Sequence, residues 1–373
     1  MERREISTIT AADLSKAFDS VDHGVLLAKL GWYGIDPRWF SSYLSGRKQL
    51  VRGGTATLPV NSGVPQGSIA GPVLFSLFTN DLHCHLPNCR VIAYADDTQL
   101  LDHSPVDPQN LAQLKVRIEA SLDSLQLWFR SNSLKMNPSK TDFALFGTRQ
   151  NIKKAHNFHI CIAGAVTKPS PSVKLLGVTL DPCLSWDIHI GQVVKKCNAL
   201  LISLYRFRHH FTRETLKILI ETHVFPHIIY CISVWGGTTK KQLARIQKII
   251  NFSARVVTGA RCRERIGPAL ETLGWSRVEQ LVRERDVLKV YKALKNQRYP
   301  STIRNMFTPR NAVSCRATRS SVTGALELPR CKLSASQRGF RYRAAAEWNK
   351  LSPVVTEKRT LSSFRTSFRA LKS

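Results

Sequence analysis

The residues of this chain best suited to chemistry are Asp13, in AADLSKAFDSVDH, and the adjacent pair Asp96-Asp97, in VIAYADDTQLL. Carboxylates brought together from distant parts of a chain offer hard oxygen ligands to a divalent cation. Two such ions about 3.5–4 Å apart serve phosphoryl transfer, one acidifying an attacking hydroxyl and the other stabilising the leaving group. Asp13 and Asp96 are the candidate ligands to both ions, with Asp97 adding negative potential and binding metal less directly. An Asp-Asp pair standing alone would read as a solvated turn. This pair sits between apolar runs, repels itself and gains nothing in packing, a cost that a bound cation removes.

The elements that must position these residues follow from pattern. Val91 and Ile92 before the pair and Leu100 and Leu101 after it predict two strands of a hairpin, with Tyr94-Ala95-Asp96-Asp97 at its turn. Residues 6–13 alternate weakly and predict a short strand that ends in Asp13. Asp22 is placed to cap a helix carrying Val25, Leu26, Leu27 and Leu30, so capping explains Asp19 and Asp22 better than metal binding does. A helix from Pro37 to Leu44, with Trp39, Phe40 and Tyr43 on its apolar side, and short strands in KQLVRGG and TATLPV follow. The loop Gly63–Gly71 then leads into a helix with Val73, Leu74, Leu77 and Phe78. Asp107-Pro108 opens a long helix with apolar positions at Leu111, Leu114, Ile118, Leu122, Leu125 and Phe129. KTDFALFG reads as a strand, and VKLLGVTLD as another near a turn. The order strand, helices, two strands, helix, strand predicts a split βαβ, ferredoxin-like α+β domain, with Asp13 and the acidic turn meeting on one edge of the sheet.

The chain has 373 residues and a formal charge of +29. Residues 1–150 hold 15 Lys/Arg against 14 Asp/Glu, whereas residues 151–373 hold 40 against 12. Such asymmetry points to a polyanion. Nucleic acid suits it better than a membrane, because the basic residues are interleaved with aromatics over a long span. From about residue 187 the pattern becomes one of basic amphipathic helices. Residues 300–340 are rich in Arg and Ser and weakly patterned. The apolar stretch ILIETHVFPHIIYCISVW is broken by Glu221, two histidines and Pro226, which argues against a membrane span. MERREISTIT has no apolar run to serve as a secretory signal. Nine irregularly spaced cysteines read as free thiols of a reducing compartment, so an intracellular protein of nucleus or cytoplasm, not a secreted one, is expected. His83, Cys84, His85 and Cys89 have poor spacing for a tetrahedral zinc site.

Five segments in order, DLSKAFDSVDH, SGVPQGSIAGPVLFSLFTNDL, YADDTQLL, LKMNPSKTDFALFG and VKLLGVTLD, resemble the palm motifs of reverse transcriptases, specifically those of LINE-type (non-LTR) retrotransposons. The basic helices after 187 and FRYRAAAEWNKL resemble the thumb and carboxyl-terminal region of the same polyproteins. The resemblance implies a reverse transcriptase palm over 1–185, a helical thumb-like domain over 186–299 and a basic, partly ordered region over 300–373. It implies RNA-directed DNA polymerase activity with two Mg2+ ions (or Mn2+), an RNA template, a DNA primer and dNTPs. Asp13, Asp96 and Asp97 match the metal-binding aspartates. Phe18 matches the gate that excludes a 2′-hydroxyl, and Pro65, Gln66 and Gly67 match the loop lining the nucleotide and template pocket. Lys140 matches the lysine proposed as general acid for pyrophosphate. Leu175, Leu176 and Gly177 match the primer-grip hairpin. Tyr94 fits either a strand aromatic or a contact to the primer end.

The chain departs from the family pattern before Asp13, where the strands of a fingers region would lie, and it has Ala70 where a larger apolar residue is usual. A carboxyl-terminal fragment without fingers or endonuclease is therefore expected, weakly active or inactive alone. Two further readings stay open. One is a non-catalytic nucleic-acid-binding relic of a retrotransposon polyprotein. The other is a viral RNA-dependent RNA polymerase, which Phe18 disfavours.

Overall fold

In β1 (Glu5–Ala12) the alternate residues Ile6, Thr8, Thr10 and Ala12 are buried, so one face of this strand is committed to a core. α1 (His23–Trp32) begins where the Asp22 side chain accepts a hydrogen bond from Val25 N at 2.9 Å, and it buries Leu26 and Leu30. α2 (Arg38–Leu44) buries Leu44, but Trp39 is 62% exposed, stacked on Tyr43 and away from the core. β2 (Lys48–Leu50) and β3 (Thr57–Pro59) form an exposed hairpin. α3 (Ala70–Thr79) buries Leu74, Phe75 and Phe78. β4 (Arg90–Tyr94) and β5 (Asp97–Pro105) follow, and then the long α4 (Pro108–Ser131). Asp107 caps α4 by accepting from Asn110 N, and Leu114, Ile118, Leu122, Leu125 and Phe129 form its buried stripe. β6 (Asp142–Phe146) completes the sheet.

The computed structural model describes residues 5–50, 53–312 and 324–371. Its four-stranded sheet runs β4-β5-β1-β6, with every neighbouring pair antiparallel. That is the strand order of a split βαβ unit. One sheet face packs Ile6, Leu100, Phe143 and Leu145 into a core shared with α1, α3 and α4. On the other face, Ile9, Ala11, Ala144 and Phe146 meet a hairpin of β9 (Val173–Leu175) and β10 (Val178–Leu180). Along the chain, α5 (Arg149–Lys154) and the small pair β7 (Ile160–Ile162) and β8 (Ala165–Thr167) lie between β6 and that hairpin. The β9–β10 turn is Leu176-Gly177, both at positive φ, as a tight two-residue hairpin turn requires.

The described residues divide after Leu184 into two compact units of mixed character, the first of helix and sheet and the second helical. In the second, α6 (Asp187–Phe207), α7 (Arg213–His223), α8 (Phe225–Ile229), α9 (Ile232–Trp235), α10 (Lys240–Thr258) and α11 (Gly267–Leu273) precede α12 (Val278–Lys295). One core of this unit draws residues from both sides of position 300. Val287, Val290 and Tyr291 of α12 share one core with Leu326, Ala344, Trp348, Phe364 and Phe368. The sequence marks the carboxyl-terminal region only as basic and partly ordered. In fact Arg343 reaches Asp286 at 2.6 Å, and Arg365 and Arg369 both reach Glu284. No helix among the described residues is long and apolar enough to cross a membrane.

Candidate active site

Asp13 follows directly on β1, and its backbone is held from one side by the segment after α4. Asn137 N donates to Asp13 O at 2.8 Å, Ser15 N donates to Lys135 O at 2.9 Å, and Leu14 bridges Met136. On the other side the register Ala12↔Thr98 brings the end of β1 against the start of β5. The pairing Tyr94↔Asp97 leaves Ala95-Asp96 as the two-residue hairpin tip. Ala95 has φ 53°, a left-handed conformation that costs a non-glycine residue about 1–2 kcal/mol. Such strain is retained at sites where the tip's position matters more than its ease.

The three carboxylates share one electrostatic neighbourhood. The Asp97 carboxyl is pushed above its ordinary range first by burial, and then by the charges of Asp96 and Asp13. Among the described residues, no lysine or arginine forms an ion pair with any of the three. No group of three or more His, Cys, Asp or Glu side chains among the described residues is drawn close enough to hold a metal ion. Asp96 and Asp97, exposed at the hairpin tip, and the partly buried Asp13 have no counter-ion among the described residues, and their oxygens are of the hard type that a divalent cation takes.

Beside them lies a cleft of about 410 Å³, lined by Lys16, Phe18, Pro65, Gln66, Gly67 and Asp96 among others. Its walls are fixed by a loop stitched to the segment after Asp13. Val64 N donates to Phe18 O at 2.8 Å, Gly63 N donates to Val21 O at 2.7 Å, and Gln66 Nε2 donates to Asp19 Oδ1 at 2.9 Å. Gly63 adopts φ 89°, and a Cβ there would lie 2.8 Å from the Asp19 backbone. Only glycine permits that approach. The half-buried Phe18 ring stacks on Phe75 at 4.6 Å between centroids, so it is a rigid wall.

Of the residues singled out in the sequence, the structure brings Phe18, Pro65, Gln66, Gly67 and Asp96 to one cleft, with Asp13 and Asp97 beside Asp96. It does not bring Lys140 or Tyr94 there. Lys140 is exposed at the end of the 3-10 turn Pro138–Lys140, with no contact to the carboxylates among the described residues. Tyr94 is 65% exposed at the end of β4, outside the cleft. Asp22 is the helix cap expected, but Asp19 is not; its carboxylate anchors Gln66. Lys16, at φ 51° and lining the cleft, was not anticipated. The signal for it was a lone basic residue between two motif positions, Asp13 and Phe18.

Residues 1–180 match the family model described as reverse transcriptase (RNA-dependent DNA polymerase). The chain is 30% identical over 275 residues to the probable RNA-directed DNA polymerase from transposon BS of Drosophila melanogaster, covering 68% of this chain and 29% of that protein. It is 25% identical over 281 residues to the RNA-directed DNA polymerase from mobile element jockey of the same organism, covering 70% of this chain and 29% of that protein. Among solved structures, telomerase from Candida albicans aligns with a TM-score of 0.37 at 12% identity, over 73% of this chain and 49% of that one. The chain thus spans under a third of the length of these curated relatives.

Proposed function

Because the chain belongs, through residues 1–180, to the reverse transcriptase family of the non-LTR retrotransposons, we propose that its first unit is the palm of an RNA-directed DNA polymerase. The second unit would then supply the thumb-like helices over 186–299 and the carboxyl-terminal region. The observation that supports this best is the joining of Asp13, Asp96 and Asp97 in one field beside a cleft walled by Phe18 and Gln66.

Asp13 and Asp96, with Asp97 beside them, would hold two Mg2+ ions, or Mn2+, whose Lewis acidity acts on the primer 3′-hydroxyl and the departing pyrophosphate. Phe18, immobilised on Phe75, presents an apolar wall to the sugar of an incoming dNTP and leaves no polar partner for a 2′-hydroxyl. Pro65, Gln66 and Gly67 line the base and template side, where Gln66 is oriented by Asp19. Lys16 carries positive charge into the cleft and faces the phosphates. Tyr94, exposed at the end of β4, would meet the primer end. Lys140, outside the cleft, would act as general acid only after moving toward it.

Primer extension on an RNA template with a DNA primer, dNTPs and Mg2+ tests the reading. The chain extends the primer and Asp96→Asn does not. Extension no greater than that of the variant rejects the reading for this chain. It would leave a nucleic-acid-binding role, which the charge excess of residues 151–373 favours. Nucleic-acid affinity that ignores ionic strength would reject that role in turn.

A further inference from the structure

At the far end of β5 from the carboxylates, a second concavity of about 660 Å³ opens between the start of α4 and the end of α5. β5 starts at Asp97 and ends at Pro105, so at about 3.3 Å per residue the two sites stand roughly 25 Å apart. They share no lining residue. The floor is apolar, with Leu111 and a half-buried Phe158 whose ring lies 5.9 Å from that of Phe143. The rim is cationic. Lys153 and Lys154 are exposed on the last turn of α5, and neither forms an ion pair among the described residues. Lys115 is held 3.1 Å from His159 Nε2, with Glu119 at 3.9 Å. The acid at the rim, Asp107, is engaged as the cap of α4, accepting from Asn110 N and Nδ2 at 3.0 and 2.7 Å.

Unmatched lysines around an apolar, aromatic floor call for an anion that carries a flat apolar body. A nucleotide has both parts, a base to lie on Phe158 and phosphates to meet the lysines. A duplex keeps its bases stacked inside, so only an unpaired strand can insert one. We propose that this concavity takes one unstacked nucleotide of a single-stranded polynucleotide, with its base against Leu111 and Phe158 and its phosphates on Lys153 and Lys154. The inference stands on this site alone and requires no polymerase step, so it can fail or hold independently of the reading above.

The test is photo-cross-linking of the whole chain to a short oligoribonucleotide containing 4-thiouridine, with adducts mapped by mass spectrometry. Adducts are expected on residues 106–115 and 153–159. The exposed double variant Lys153→Glu/Lys154→Glu should lower their yield by about tenfold or more, as reversal of two charge-assisted contacts implies. Ala112→Trp fills the concavity from an exposed position while keeping the lysines, and it should abolish the same adducts. Asp96→Asn should leave them unchanged. Displacement by AMP would show that a lone nucleotide suffices; adducts that survive AMP would show that the strand is required, and both outcomes support the site. Adducts confined to other segments, insensitive to the charge reversal, or retained in Ala112→Trp overturn the proposal.

Discussion

Two groups of acids in this chain are treated in opposite ways. In the helical unit Asp286 is fully buried and meets Arg343 at 2.6 Å, while Glu284, 3% exposed, is gripped by Arg365 and Arg369. In the sheet-bearing unit the charges of Asp96 and Asp13 bear on the Asp97 carboxyl, and no cation among the described residues pairs with any of the three. Basic residues are abundant, and among the described residues they form ion pairs with the first group and not with the second. A carboxylate neutralised from within holds a fold together, because removing its partner leaves a buried charge. A carboxylate left open at a strained hairpin tip does nothing for stability, and its neutralisation must come from outside.

The contrast is broken most sharply by substitution on each side. Asp96→Asn is expected to lower primer extension by on the order of 10³-fold or more, the scale of losing several kcal/mol of metal-assisted charge stabilisation. Its urea midpoint should stay at or slightly above that of the parent, because a repelling charge has gone. Asp286→Ala should act in reverse and destabilise the helical unit by about 3–5 kcal/mol by leaving Arg343 unpaired. Urea titration followed by circular dichroism reads the loss, and Asp286→Ala/Arg343→Ala should recover part of it. An Asp286→Ala protein as stable as Asp96→Asn would remove the distinction between the two groups.

A smaller effect probes the wall of the open site. Phe18→Val keeps an apolar side chain against Phe75 but withdraws the ring from the cleft. Discrimination between dNTP and rNTP, read as the ratio of incorporation rates, should fall by roughly 10-fold or more, the scale of about 1–3 kcal/mol for shape changes in an apolar pocket. Unchanged discrimination would leave Phe18 as a packing residue only.

Legibility in the sequence followed the range of the forces involved. Asp22 and Asp107 were readable as caps because a cap is a contact over three residues, and the stripe from Leu114 to Phe129 because helical period is local. The hairpin tip at Ala95-Asp96 was readable because apolar runs bracket it. The role of Asp19 was not, since its partner Gln66 lies far along the chain. The merging of the carboxyl-terminal helices with α12 was hidden for the same reason. Arginine composition names no partner, and nothing local reveals that Arg343 faces Asp286 from 57 positions away. Lys140 shows the converse limit. A motif match specifies a role, but the exposed turn that carries Lys140 holds it outside the cleft.

The smallest expected effect sharpens the contrast through pH. The Asp97 carboxyl lies above its ordinary value of 3.8, through burial and then the charges of Asp96 and Asp13. A raised carboxyl binds more protons folded than unfolded. The folded state therefore keeps its advantage below the unfolded value and loses it as pH climbs through the raised one. Asp97→Asn should consequently be more stable than the parent at neutral pH in EDTA, by about 1 kcal/mol or less at so exposed a position. The difference should close as pH falls below the ordinary carboxyl range. Adding Mg2+ at neutral pH should raise the melting temperature of the parent, since a cation that binds only the folded state stabilises it. The gain should shrink in Asp97→Asn and be untouched by conservative changes around Glu284. A parent protein whose melting is indifferent to Mg2+, with Asp97→Asn no more stable at neutral pH, would show that the open carboxylates are an ordinary solvated turn.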